Sequence, residues 1–480
     1  MKKYLIIFLT TLLITSCAEQ INRTPVDTLI QETAFQNVDD IEAGLIGVYG
    51  RRLPSGAVRS IDFVNQLSHN AIFTDNVKIG TDNGGQALSL LNLQLDSSTN
   101  SFGIWFSQYN TANDVNRILQ AAESIEPESP EEQVRLNNLL AQSYLIRAYA
   151  HLELLLYYSE DIESPASAGV PYQSEVSVNA EPERITTGET TQLILDDITT
   201  AESLFSDDFD DVFRVNPDFA KFLRTRLALY TGDMPGVISN SNSLIAKFPL
   251  ANQAQYTAMF NGDTDQTEVI YSYDNVAGAN LQNAAGQFIF TGTGGNFIDM
   301  SNELFGILQA ESDNNNDIRF EVNVNQNGDL DGGELGINKY PPGSGQFIND
   351  YKAARISEVY LMRAEAFAKQ SQFQAAADAV QAVRNARRDA SDNASAYASL
   401  TEAITDIKFE RRLELCFEGH RYNDIRRYRN ILSQGLSRNP DDCVGSIPCG
   451  INVNDQRWVF PIPIQELNGN SNMVQNTQWQ

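Results

Sequence analysis

The stretch from Arg355 to Arg388, RISEVYLMRAEAFAKQSQFQAAADAVQAVRNARR, constrains the fold more than any other part of this chain. Ile356, Val359, Tyr360, Ala364 and Phe367 recur at i, i+3, i+4, i+8 and i+11, the apolar stripe of a helix. After a break at Gln370-Ser371-Gln372, Phe373, Ala376, Ala377, Val380 and Val383 repeat the stripe. A break this short turns the second helix back on the first. Ala364, Ala366, Ala375 and Ala376 are small enough to let the two approach closely.

Helical periodicity recurs upstream. Val38 to Tyr49 places Ile41, Leu45 and Val48 on one face, and helices are predicted at roughly 102–124, 131–158, 190–205, 217–231 and 235–247. Each hairpin buries its face only against neighbours, as in tetratricopeptide-type repeats. Residues 50–100 read as loops around helix pieces, and 159–188 (Pro165, Gly169, Pro171, Pro182) as a long connection. Between 250 and 350, Gly and Asn dominate and helical periodicity fades. Short β-like runs take its place, such as Val269-Ile270-Tyr271 and Phe288-Ile289-Phe290. The expected fold is mainly α: a tetratricopeptide-like repeat scaffold (about 102–247 and 355–430) with large irregular insertions and a few short strands. It forms one domain over 35–480. Irregular segments on a rigid scaffold are where binding residues concentrate, so 250–350 is the expected ligand face.

At the N-terminus, Lys2 and Lys3 precede an apolar run, Tyr4 to Leu13, that is too short to span a bilayer. Ile14-Thr15-Ser16-Cys17 follows, the arrangement at which bacterial lipoproteins are cleaved and lipidated. Residues 1–16 are expected to be a signal peptide, Cys17 the lipidated residue and 17–34 a tether. The formal net charge of −28 argues against nucleic acid, which demands basic patches.

A second signature runs from Glu410 to Arg427: Glu410-Arg411, Glu414-Leu415, Glu418-Gly419, Arg421, Asp424-Ile425, Arg427. Its acids alternate with basic partners at helical spacing, the pattern of a structural ion-pair network rather than a catalytic carboxylate pair. Gly-x-Ser-x-Gly and phosphate-loop motifs are absent from the sequence. Together with Glu358-Val359-Tyr360-Leu361-Met362-Arg363-Ala364-Glu365-Ala366, this segment resembles the C-terminal signature of the SusD/RagB family of Bacteroidetes-type bacteria. Trp105, Tyr109 and Asn116-Arg117-Ile118-Leu119 are similar to that family's early helix. Arg147-Ala148-Tyr149, Gly169-Val170-Pro171-Tyr172, Asp196-Asp197-Ile198 and Arg226 to Asp233 match further segments in the same order. So do Phe460-Pro461-Ile462-Pro463, Glu466 and Gln475-Asn476. Val383-Arg384-Asn385-Ala386-Arg387 departs from the usual Leu-Asn-x-Ile-Arg.

The resemblance implies a non-enzymatic, lipid-anchored outer-membrane protein exposed at the cell surface. It would bind an oligosaccharide or polysaccharide and pass it to a SusC-like TonB-dependent transporter, with no nucleic-acid partner. A peptide-binding uptake lipoprotein of the same fold and a lipid-anchored glycosidase are the alternatives.

Sugar capture needs aromatic faces against C–H surfaces and planar polar groups for the hydroxyls. Tyr271, Tyr273, Phe288, Phe290 and Phe297, with Asn280 nearby, are the candidates from the irregular region. The resemblance adds Asp75 and Asn76. In Asn323–Glu334, Asn323, Asn325, Asn327, Asp329, Asp331 and Glu334 stand where a calcium loop places its ligands, with Gly328 at the sixth position; a structural Ca²⁺ and a plain hairpin turn are both compatible with this spacing. Cys443 and Cys449 bracket a short loop and are expected to pair outside the cytoplasm, leaving Cys416 as a buried thiol.

Overall fold

A computed structural model describes residues 34–480 apart from 53–69, 86, 99–102, 178–179, 275–295, 327–329, 331–332 and 342–348. The chain opens with α1 (Val38–Arg52), β1 (Val77–Ile79) and the single turn α2 (Leu88–Leu91). The first helical block is α3 (Ile104–Ala122), α4 (Pro130–Tyr158), α5 (Thr187–Leu204), α6 (Pro217–Thr231) and α7 (Met234–Lys247). Then come α8 (Gln253–Phe260), β2 (Val269–Tyr273), β3 (Ile298–Met300), α9 (Asn302–Asn315), α10 (Arg319–Asn323) and β4 (Tyr351–Arg355). The second block is α11 (Ile356–Lys369), α12 (Phe373–Arg388), α13 (Leu400–Glu414) and α14 (Arg421–Leu432). The chain closes with β5 (Leu436–Ser437), β6 (Gly450–Ile451) and α15 (Ile464–Gly469).

Local chemistry sets the helix starts. Ser129 caps α4 by accepting from Glu132 N–H, with Pro130 at the first helical position. Thr186 and Glu189 form a reciprocal capping box on α5, and Asn216 caps α6 ahead of Pro217. Neighbouring helices pack in sequence order: α3 on α4, α4 on α5, α6 on α7, α11 on α12 and α13 on α14. The α7–α11 contact joins the two blocks. The C-terminal half of α4 is buried on every side, Leu152, Leu154 and Leu155 completely, so it runs through the centre of the core. The architecture is the expected tetratricopeptide-like scaffold, and the predicted scaffold helices lie within a few residues of the observed ones.

The expectation for 250–350 needs correction, because α8, α9 and α10 lie there. Only Leu304 and Leu308 of α9 are buried, a stripe too thin to register as periodicity. Ser301 caps its start and Asn316 ends it in the left-handed region (φ 54°). Among the described residues, strands form three two-stranded antiparallel ribbons, β1–β3, β2–β4 and β5–β6.

The Glu410–Arg427 signature organises the buried charge. The Glu414 carboxylate takes Arg355 Nη1 at 2.9 Å and Arg387 at 2.8 and 2.9 Å, with Arg319 Nη1 at 3.4 Å. Glu418 pairs with Arg355 at 2.7 Å and with Lys339 at 2.5 Å. Glu268, from the turn before β2, ties Arg355 and Arg387 together at 2.8 and 2.6 Å. Glu410 holds Arg319 at 2.6 Å and Arg384 at 2.7 Å. These groups come from six separate parts of the chain, and all except Arg384 are nearly inaccessible to solvent. Nearby, Arg411 and Arg427 both meet Asp424 at 2.9 Å, and Arg427 also meets Glu365. Gly419 has φ 85°, a conformation the turn between α13 and α14 requires to aim Glu418 back at Arg355.

Cys443 and Cys449 form a disulfide that closes the loop between β5 and β6. Cys416 is buried, and burial raises its thiol pKa. Both bridged cysteines should resist alkylation until reductant is added, and Cys416 should react only on unfolding. Opening so short a loop should cost on the order of 2 kcal/mol, read as a lower melting temperature after reduction. Free alkylation of Cys443 in unreduced protein would contradict this.

Candidate functional site

Among the described residues, those predicted for ligand binding do not converge on one surface. Tyr271 is completely buried on β2, its ring 4.7 Å from Phe219. Tyr273 stacks on Tyr351 across the β2–β4 ribbon at 5.8 Å. Both rings are core, because each face of this ribbon packs on helices or charge clusters and none faces water. Phe297 is half-buried against the core at the start of β3. Asn280, Phe288 and Phe290 lie outside the described residues, as does Cys17.

Asp75 and Asn76, offered by the resemblance as glycan contacts, are both engaged by arginines. Asp75 accepts two hydrogen bonds from Arg421 at 2.8 and 2.7 Å, and Asn76 Oδ1 accepts one from Arg412 at 3.0 Å. The two arginines beside Asp75 hold its carboxyl far below the usual range despite its burial.

Of the six positions of the calcium pattern, Asn323, Asn325 and Glu334 lie among the described residues. Asn323 is wholly buried at the end of α10, where its Nδ2 donates to Cys416 Sγ at 3.4 Å. The flanks pair as a hairpin, with a bridge between Val324 and Ile337, and Asn325 N–H donates to Gly336 O at 2.8 Å. Glu334 accepts from Thr81 Oγ1 at 3.1 Å, and Asn327, Asp329 and Asp331 lie outside the described residues. Among the described residues no cluster of three His, Cys, Asp or Glu is placed to hold a metal.

A concavity does form where three stretches distant in sequence meet: the N-terminal half of α3, the connection 171–182, and α15. It encloses about 350 Å³ and is lined by Trp105, Phe106, Tyr109, Tyr172 and Pro182, with Asn110, Gln173, Ser174, Glu175 and Glu466 at polar positions. Helical spacing on α3 puts Phe106 and Asn110 four residues apart on one face. Trp105 is 1% exposed and forms the floor. Its Nε1 donates to Glu466 at 3.1 Å, which ties α15 to α3. Tyr109 Oη donates to Pro171 O at 2.8 Å.

The opposite wall is held by a polar cluster on α4. Arg147 grips Asp197 of α5 through two hydrogen bonds at 2.6 and 2.7 Å, and reaches Asn116 Oδ1 at 2.7 Å and Ser174 O at 3.2 Å. His151 accepts from Gln173 N–H at 2.9 Å through Nε2 and stacks on Tyr172 at 3.9 Å. Burial pushes the His151 pKa down to about 3, so the ring stays neutral and keeps this acceptor throughout the physiological range. An irregular segment is thereby pinned in one shape, presenting aromatic surface beside amide and hydroxyl groups. Such a wall can hold a sugar ring by its C–H face and its hydroxyls together.

The carboxylates of the Glu410–Arg427 segment are each engaged by arginine or lysine, so none is available as a general acid or base. Phe106, Asn110, Gln173 and Ser174 were missed by the sequence analysis. The available signal was Trp105-Phe106 with Tyr109-Asn110, an aromatic and amide pair on one helical face, followed by the motif Gly169-Val170-Pro171-Tyr172.

Two family models match the chain: one described as the SusD family over residues 336–479, and one described as starch-binding associating with outer membrane over residues 57–222. No curated protein matches. Among solved structures, a putative sugar-binding protein from Bacteroides vulgatus ATCC 8482 superposes with a TM-score of 0.77 at 20% identity, covering 93% of this chain and 100% of its own. A SusD superfamily protein from Bacteroides thetaiotaomicron VPI-5482 gives 0.76 at 21% identity, over 92% and 99%. A laminarin-binding SusD-like protein gives 0.66 at 19%, over 92% and 100%. At these identities the superpositions speak to fold alone, whereas the two family models meet the chain at both ends of the scaffold. The chain belongs to the SusD family, and its N-terminal part is matched by the model described as starch-binding associating with outer membrane.

Proposed function

We propose that the protein is a lipid-anchored, surface-exposed outer-membrane receptor. It captures an oligosaccharide in the groove between α3, the 171–182 connection and α15, and passes it to a SusC-like TonB-dependent transporter. The observation that carries the capture step is the groove itself: about 350 Å³ of aromatic and amide surface, held in shape by the Arg147–Asp197 and His151–Gln173 contacts. Rigid walls limit the ordering cost of binding, so contacts with a weakly interacting sugar are not spent on fixing the protein. A structural relative described as laminarin-binding supports a glycan as the ligand class. Transfer to a transporter is supported by family membership.

A glycan array probed with the purified protein tests the capture step. Phe106→Ala should weaken the best array ligand by about 1–3 kcal/mol, and Asn110→Ala by about 1 kcal/mol, with melting temperature nearly unchanged. Wild-type affinity in both variants would remove this groove from the binding site, and an array with no bound glycan would remove the ligand class.

A further inference from the structure

A second, larger concavity of about 950 Å³ lies on a different face, between α9, the C-terminal half of α13, α14 and the β5–β6 ribbon. Its lining includes Lys408, Arg412, Arg421 and Arg438, against only Asp75 and Glu303 as acids. On a chain with a formal net charge of −28, a concavity with this excess of cations stands apart.

The excess remains once the ion pairs are matched. Arg412 is matched by Glu303 at 2.9 Å, and Arg421 by Asp75 at 2.7 Å. Arg438 is 4% exposed and donates only to backbone carbonyls, those of Thr74, Leu91, Ile72 and Pro448, at 2.5–3.4 Å. Lys408 reaches only Gln434 Oε1 at 3.5 Å. Neither Arg438 nor Lys408 has a carboxylate partner within ion-pair distance among the described residues. Arg421 is 6% exposed, spends Nε and Nη2 on Asp75, and leaves buried Nη1 without a hydrogen-bond partner. A buried guanidinium donor left open costs free energy that an oxyanion would recover. Phe409 and Ile307 add apolar surface to the same lining.

We propose that this cavity binds an oxyanion, the carboxylate or sulfate group of an acidic saccharide, beside Lys408, Arg421 and Arg438. The saccharide part rests on the glycan-binding reading above; the oxyanion part does not. Lys408 also gives the site a pH dependence. Arg421 from α14 and Arg412 from α13 face it, as do Asp75 and Glu303 from the other side. Burial, with those two arginines, depresses its pKa to about 8. A bound anion raises that value again, so affinity falls as pH climbs through 8 and the free lysine loses its proton.

Calorimetry of sodium glucuronate, sodium sulfate and glucose into the purified protein at fixed ionic strength tests this. Glucuronate should bind at pH 7 at least tenfold more tightly than glucose, and more weakly at pH 9. Lys408→Gln should lower glucuronate affinity at least fivefold, while Lys408→Arg should keep it at both pH values. Lys408 is partly exposed and carries no ion pair, so these variants fold; Arg421→Gln would also release Asp75 and is a poorer probe. Equal affinity for glucuronate and glucose, or a Lys408→Gln variant that binds like wild type, overturns the proposal. Sulfate binding with no preference for glucuronate overturns its saccharide part alone. Phe106→Ala should leave glucuronate binding intact, so failure of the first groove and failure of this cavity give different results.

Discussion

Replacing Glu414 by alanine is expected to destabilise the protein by about 3–5 kcal/mol, and the variant should accumulate poorly in the folded form. The carboxylate is fully buried and takes charge-assisted hydrogen bonds from Arg355 and Arg387, with Arg319 at its edge. Removing it leaves three guanidinium groups crowded in a dry interior with too few counter-charges, the most damaging way to break a buried ion-pair cluster. Arg387 and Arg355 hold the Glu414 carboxyl far below the ordinary range although burial opposes ionisation, and Glu418 and Asp424 shift the same way. Glu365, gripped by Arg427, is drawn down to about 2.

The sign of the pH dependence follows from these shifts. A carboxyl with a depressed folded-state pKa adds stability that is complete above its unfolded value, about 4.3 for Glu, and fades as pH falls further. The carboxylate contribution should therefore be complete from about pH 7 to 5 and fade steeply below about 4, while His151 and His420, buried neutral with depressed pKa, already cost stability as pH falls below about 6.5. The deficit of Glu414→Gln should shrink over the same acid range. Denaturant melts at pH 7 and pH 3.5 measure both effects. A Glu414→Ala protein within 1 kcal/mol of wild type would mean that the cluster contributes little beyond shape.

The second large effect concerns location. Cys17→Ala is expected to move the protein from the membrane fraction into the soluble fraction almost completely. In the proposed anchor, acyl chains on Cys17 would contribute about 0.8 kcal/mol per buried methylene, and losing them would remove that energy. No described helix is long and apolar enough to cross a membrane and replace it. Labelled palmitate should enter the wild-type protein and not the variant. A Cys17→Ala protein that still sediments with outer membranes would point to anchoring through a protein partner.

The helical scaffold was legible because amphipathic periodicity is a local property. Ile356 to Val383 states its own hairpin, and Thr186 with Glu189 states where α5 begins. The Glu410–Arg427 segment could likewise be read as ion-paired, since acids and bases alternate within one helical turn. Its partners were not legible. Arg319, Lys339 and Glu268 are scattered across a region whose sequence reads as irregular, and only the folded chain brings them to Glu410, Glu414 and Glu418. Likewise α9 escaped notice because only Leu304 and Leu308 are fully buried, with Phe305 and Ile307 packed at the edge of the core.

For the binding residues the sequence determined residue type but not accessibility. Tyr271 and Tyr273 have the chemistry of a sugar platform, yet the β2–β4 ribbon is covered on both faces and takes them into the core. Phe106 and Asn110 seemed ordinary helix positions until Pro171 to Pro182 and α15 folded over them to make a wall. Asp75 matched a ligand loop by resemblance and became the counter-ion of Arg421, some 350 residues away in the chain. Helix and strand identity, caps and buried stripes are written in neighbouring residues. Which polar groups end in water, which in ion pairs and which around a groove depends on contacts between distant segments, and those were decided only when the whole chain packed.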